Sequence, residues 1–116
     1  MSFKFQVTKR FERSVKKLKK RYPKITKDIA TAFEEIENNP EAGMIIPDDF
    51  GIRKIRVAST DMKRGKSGGY RLLYKLINDD EDLFAAVLFI YAKSDQETVS
   101  DSILELLDED TENEDD

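Results

Sequence analysis

Three cations in two short stretches define the chemistry open to this chain. Lys54 and Arg56 stand two residues apart in Ile52-Arg53-Lys54-Ile55-Arg56-Val57, and Arg71 follows in Gly69-Tyr70-Arg71-Leu72-Leu73-Tyr74-Lys75. Alternate residues of a strand share a face, so Lys54 and Arg56 lie together while Ile55 and Val57 take the other side. Paired as a hairpin, the two strands bring cations from both onto one patch, with Arg71 on the same side as Leu73 and Lys75. Such a patch attracts phosphate. RNA carries its own nucleophile, the 2′-hydroxyl, so a protein need only orient it, assist its deprotonation and stabilise the more negative phosphorane. Arg71 suits the phosphate because guanidinium binds two oxygens at once. Lys54 is the candidate general base.

More cations surround these. Arg53 and Lys75 flank the same strands, and Lys63, Arg64 and Lys66 fill the hinge Lys63-Arg64-Gly65-Lys66-Ser67-Gly68-Gly69; all five are candidate RNA-binding residues. The hinge joins strand to strand and lacks the GxxxxGK[ST] spacing, so it is read as a hairpin loop and not a nucleotide-cradling one. A water-exposed polar sheet face is the plainer account of the patch. Like charges on adjacent strands cost stability, however. Something negative is expected to compensate: a carboxylate of the chain, a partner, or nucleic-acid phosphate.

Composition narrows the options. The 116 residues contain neither cysteine nor histidine, which removes disulfides, thiolate metal sites and the usual neutral-pH base. Acidic pairs such as Asp48-Asp49 and the run Asp79–Asp82 fall in turns and specify no metal, so no cofactor is expected. The net charge of −4 hides an asymmetry, because residues 1–100 hold all 20 basic but only 15 acidic residues, a balance of +5. No apolar run reaches the roughly 20 residues of a membrane span, and the N-terminus lacks a signal-peptide pattern. A single soluble cytoplasmic domain is the expectation.

The elements that must position the patch are legible in order. Residues 3–7 alternate as a strand, Thr8 is a plausible N-cap, and Phe11, Val15, Leu18 and Tyr22 recur at helical spacing. The opposite face of that helix is basic, which fits a solvated surface or a face toward an anionic partner. A second helix follows through Ile25, Ile29, Ala32, Phe33 and Ile36. Residues 40–51 read as a loop, 52–58, 70–77 and 83–93 as strands, and a last helix begins after Asp95 through Val99, Ile103, Leu106 and Leu107. The order β-α-α-β-β-β-α predicts an α+β fold, with two N-terminal helices and a C-terminal helix on a small, mostly antiparallel sheet. The pattern leaves open which strand neighbours the first. Residues 1–107 form the expected domain, and 108–116 an acidic, disordered tail.

This element order, with RKIRVAS, RGKSGGYRLLYK and LFIYAKSDQETVS, resembles the RelE/ParE superfamily of bacterial toxins, and within it the RelE/HigB-like branch, over residues 3 to about 106. The resemblance implies the toxin of a type II toxin–antitoxin module: a ribosome-dependent, metal-independent mRNA endoribonuclease that inhibits translation. The implied partners are the ribosome, mRNA and a cognate antitoxin with a DNA-binding domain. By motif, Lys54 and Arg56 match two basic strand residues of that branch, Arg71 the arginine of its GYR strand, and Lys93 a lysine ending its last long strand. Arg56 or Lys93 would then contact backbone phosphates, and Tyr91, on the strand face of Lys93, would stack on a base or relay a proton. Ser94 and Ser100 stand where RelE has a catalytic arginine and a tyrosine. Those two departures favour a rival, a ParE-like toxin that poisons DNA gyrase without hydrolysis. A non-catalytic RNA-binding module is the third reading.

Overall fold

The computed structural model describes residues 2–48 and 50–113. Its elements are β1 (Ser2–Val7), α1 (Lys9–Lys19), α2 (Ile25–Asn38), β2 (Met44–Ile45), β3 (Ile52–Val57), β4 (Tyr70–Asp79), β5 (Asp82–Ala92) and α3 (Asp101–Asn113). The five strands form one sheet in the order β1-β5-β4-β3-β2. β1 runs parallel to β5, and every other pairing is antiparallel. The α+β architecture expected from the sequence is therefore present, with β1 placed beside β5.

Each face of the sheet carries its own core. Phe11 and Leu18 of α1, and Ile25, Ile29, Ala32 and Ile36 of α2, pack against Ile55, Val57, Tyr70, Leu72 and Tyr74 on one face. On the other, Leu104 and Leu107 of α3 close over Ile52, Leu73, Ala86, Leu88 and Tyr91. Helical spacing of the apolar residues in α1 and α2 places them on one stripe each, which is what lets two helices share one sheet face. Thr8 starts α1 as expected: its Oγ1 accepts the Phe11 N–H at 3.2 Å and donates to the Val87 carbonyl at 2.9 Å. One hydroxyl thus caps the helix and ties it to β5.

A bulge sets the phase of β5. Leu73 pairs with Phe89 but Tyr74 pairs with Val87, so Leu88 is an extra residue. Ala85 and Val87 face the α1–α2 core, yet so do Ile90 and Ala92. The shift carries Tyr91 to the opposite face, directly across from Arg71.

Strand ends shift by one or two residues from the expectations, β4 running on to Asp79 and β5 starting at Asp82, and three larger differences stand out. Residues 44–45, read as loop, form the edge strand β2 on β3, because Met44 and Ile45 find register opposite Lys54 and Arg53. The last helix starts at Asp101 and not near Asp95: Ser100 Oγ accepts the Ile103 N–H at 3.3 Å, and the Ser100 carbonyl accepts the Leu104 N–H at 3.0 Å. The acidic segment is helical through Asn113 instead of disordered from 108. Two ion pairs account for that, Lys75 to Asp108 at 2.8 Å and Arg10 to Asp110 at 2.7 Å. Residues 114–116 of the expected tail lie outside the described residues.

Candidate functional site: a cationic groove

Lys54, Arg56 and Arg71 converge as the strand pattern predicts. Arg56 pairs with Arg71 across β3 and β4, and Lys54 pairs with Leu73. These three, with Lys93, line a groove of about 520 Å³ at the end of the sheet that α3 leaves uncovered. Met44, Ile45, Ile46 and Pro47 wall one side, and Glu97, Thr98 and Val99 the other. Lys93 reaches the groove from the turn after β5, where its backbone N–H donates to the Gly69 carbonyl at 3.0 Å. Among the described residues, Lys54, Arg56 and Lys93 form no ion pair. Same-sign charges are therefore gathered in one concavity without a carboxylate bound to them, which is the electrostatic profile of an anion site.

Arg71 departs from its expected role. It is only 5% exposed, and its guanidinium points into the loop that precedes it. Nη1 donates to the Lys66 and Tyr70 carbonyls at 3.0 Å each, and Nη2 to the Ser67 carbonyl at 2.9 Å. Burial, with Arg56 nearby, lowers its pKa from the ordinary arginine value. Most of its donors are committed to backbone. Arg71 therefore holds the basic loop in place, and Arg56, exposed on the neighbouring strand, is the guanidinium open to a phosphate.

Tyr91 also departs. It is 3% exposed and does not line the groove, and its hydroxyl donates to the Glu97 carbonyl at 3.3 Å. Burial pushes its phenol upward, while Arg71 acts in the opposite direction. The bulge in β5 turns it under the chain leading to α3, and it lines a separate cavity with Arg10, Arg13 and Lys17 of α1.

The outer cations divide. Arg53 sits on the α1–α2 face opposite Tyr74 and donates to the Gly43 carbonyl at 2.7 Å, so it anchors the chain entering β2. Lys75 is held by Asp108 beneath α3, and Lys66 by Glu35 at 2.8 Å. These three, expected to contact RNA, each have a partner within the protein. Lys63 and Arg64 are exposed on the loop. That loop is not a loose hinge. Ser59 and Arg64 exchange backbone hydrogen bonds, and the buried Asp28 carboxylate accepts from the Thr60 N–H at 2.9 Å and hydroxyl at 2.5 Å. Ser94 is exposed in the turn after β5, and Ser100 serves α3 as its N-cap. Asp28 is the residue that sequence reasoning missed; its sole signal was an acid in the first turn of an otherwise apolar helix stripe.

Among the described residues, no group of three or more potential ligands is placed to hold a metal ion, and no helix is long and apolar enough to cross a membrane. An α+β domain with two helices on one face of a five-stranded mixed sheet and one on the other is consistent with the RelE/ParE-like fold. The chain matches the family model described as ParE toxin of type II toxin-antitoxin system, parDE, over residues 5–97, and it belongs to that family. It is a type II toxin, and a toxin of this type implies an antitoxin partner.

Proposed function

We propose that this toxin is an endoribonuclease that cuts mRNA on the ribosome without a metal, as in the RelE/HigB-like branch. One observation carries the reading: Lys54, Arg56 and Lys93 face a single open groove and, among the described residues, no carboxylate pairs with any of them. Phosphate is the ligand that such a set favours. Arg56 and Lys93 bind the scissile and adjacent phosphates. Lys54 takes the proton from the 2′-hydroxyl, the 2′-oxygen attacks phosphorus, and the P–O5′ bond breaks as the 5′-oxygen takes a proton from water, the Lys54 ammonium afterwards returning its proton to solvent. Products are a 2′,3′-cyclic phosphate and a 5′-hydroxyl. Charge on the phosphorane grows during attack, so fixed cations stabilise that state more than the ground state. Arg71 contributes by fixing the loop and, through Arg56, the field in the groove.

The family match favours a second reading, a toxin that binds and poisons DNA gyrase. Mapping RNA ends after brief expression separates the two. Cuts inside translated reading frames support the ribonuclease; gyrase-linked DNA breaks with intact mRNA support the poison.

A further inference from the structure

The cations account for one side of the groove only. The wall that faces Glu97, Thr98 and Val99 is apolar and exposed to an unusual degree: Met44 is 77% and Ile45 55% exposed, the two most exposed large hydrophobic residues among those described. Both line the same groove as Lys54 and Arg56, together with Ile46 and Pro47. Met44 is the direct cross-strand partner of Lys54, so the thioether and the ammonium rise from the same face.

This wall is held rigidly despite its exposure. Before it, the Gly43 N–H donates to the Tyr74 hydroxyl at 2.9 Å, the Gly43 carbonyl accepts from Arg53 at 2.7 Å, and the Tyr74 hydroxyl donates to the Pro40 carbonyl at 2.7 Å. After it, the Ile46 N–H donates to the Ile52 carbonyl at 2.8 Å. Buried Tyr74 and half-buried Arg53 thus hold Met44 beside the cations, while Ile45, across from Arg53, turns toward the opposite face. An exposed apolar surface kept in place at a polar site points to a ligand with both characters.

We infer that Met44, with Ile46 and Pro47, is the wall on which a nucleobase of single-stranded RNA packs while its phosphate lies on Lys54, Arg56 and Lys93. The inference rests on the ribonuclease reading and names the part of the substrate that the cations cannot bind. A base joined to its phosphate by one sugar offers an apolar face beside an anion, which is the order of surfaces across the groove. Sulfur contacts aromatic faces favourably, and the unbranched side chain adapts to bases of different size. Contact through area and not through hydrogen bonds gives affinity with little discrimination, with purines gaining more than pyrimidines.

The test is a cycle on a programmed ribosome whose mRNA is 2′-O-methylated at the reading site and therefore uncut. Binding of wild type, Met44→Ser and Met44→Leu is measured with adenine at that site and with an abasic residue. Met44→Ser is expected to weaken binding about tenfold on adenine, as for loss of a largely covered apolar side chain, and to change it little on the abasic mRNA. Met44→Leu should retain most of the affinity. Equal weakening on both mRNAs, or none on either, overturns the wall. Weakening confined to antitoxin binding assigns the wall to the protein partner and overturns it also. Wild type that binds this complex yet leaves unmodified mRNA whole refutes the ribonuclease reading, while the cycle still decides the wall.

Discussion

Arg56 and Arg71 are direct partners across β3 and β4, and the two guanidiniums leave their shared row in different ways. Arg71 turns into the protein and spends three donated hydrogen bonds on the carbonyls of Lys66, Tyr70 and Ser67. Arg56 stays exposed at the groove. Paired like charges are destabilising, and burial of one against backbone acceptors is how this sheet tolerates them. The division predicts opposite phenotypes. Arg71→Ala should cost about 1–2 kcal/mol, because the buried Tyr70 carbonyl and two partly buried loop carbonyls lose a charged donor, and Arg71→Lys should recover little, since an ammonium lacks the planar fork. Arg56→Ala should change stability by no more than about 0.5 kcal/mol while abolishing activity. Urea denaturation of the three variants checks this; an Arg71→Ala protein as stable as wild type would contradict the clamp.

Gly69 closes the loop where no side chain fits. A Cβ there would lie 2.1 Å from the Val57 carbonyl oxygen and 2.9 Å from the Ser59 nitrogen, both backbone atoms. Gly69→Ala is expected to destabilise by about 3 kcal/mol, displacing Tyr70 and the turn at Lys93 together. Gly65 has open space around the same position, so Gly65→Ala should melt within a few degrees of wild type. Equal melting temperatures for both variants would rule out the close approach as the reason for glycine.

Burial raises the phenol pKa of Tyr70, Tyr74 and Tyr91, the first cause in each case. The sign follows directly. The folded state holds these protons more tightly than the unfolded chain, so the stabilisation is complete below the ordinary tyrosine value of about 10 and is lost as pH rises through the raised values. Absorbance at the tyrosinate band should therefore lag for three of the four tyrosines and rise with unfolding above about pH 10. Titration of all four phenols in folded protein near the ordinary value would contradict the buried placements.

The acidic end of the chain is tied to the domain through Lys75–Asp108 and Arg10–Asp110. Asp108→Asn should weaken the end of α3 by about 0.5–1 kcal/mol and speed amide exchange there, less so in high salt. Lys75→Ala should match it in stability and leave RNA cleavage unchanged. A selective loss of cleavage in Lys75→Ala would return that lysine to the RNA surface.

Much of this architecture is legible in residue periodicity, and the remainder depends on contacts that no local pattern encodes. Helical spacing finds α1 and α2, alternation finds β1 and β3, and the shared face of Lys54 and Arg56 follows from the strand period alone. The β5 bulge does not: Leu83–Lys93 is apolar on both faces, so an extra residue at Leu88 leaves no trace, yet it decides which way Tyr91 points. Arg71 was legible as a groove-face cation but not as a clamp, because its acceptors are carbonyls, which every sequence contains. Lys75 and Arg10 look like free cations until α3 is folded back over the sheet. The acidic segment likewise looks unburiable until those two partners are in reach.

Under the proposed function, Arg56 and its neighbouring lysines serve phosphate chemistry on translated RNA. The most direct measurement is single-turnover cleavage of mRNA on purified programmed ribosomes by wild type, Arg56→Ala and Lys54→Ala, with folding verified by circular dichroism and gyrase supercoiling assayed in parallel. The predicted result is cutting at the ribosomal reading site by wild type, with 2′,3′-cyclic phosphate ends. Both folded variants should lose at least about a hundredfold in rate, the scale of a lost acid–base or charge-stabilising group, and supercoiling should be unaffected. Intact mRNA with inhibited gyrase, or wild-type cleavage by folded Arg56→Ala, would contradict the claim.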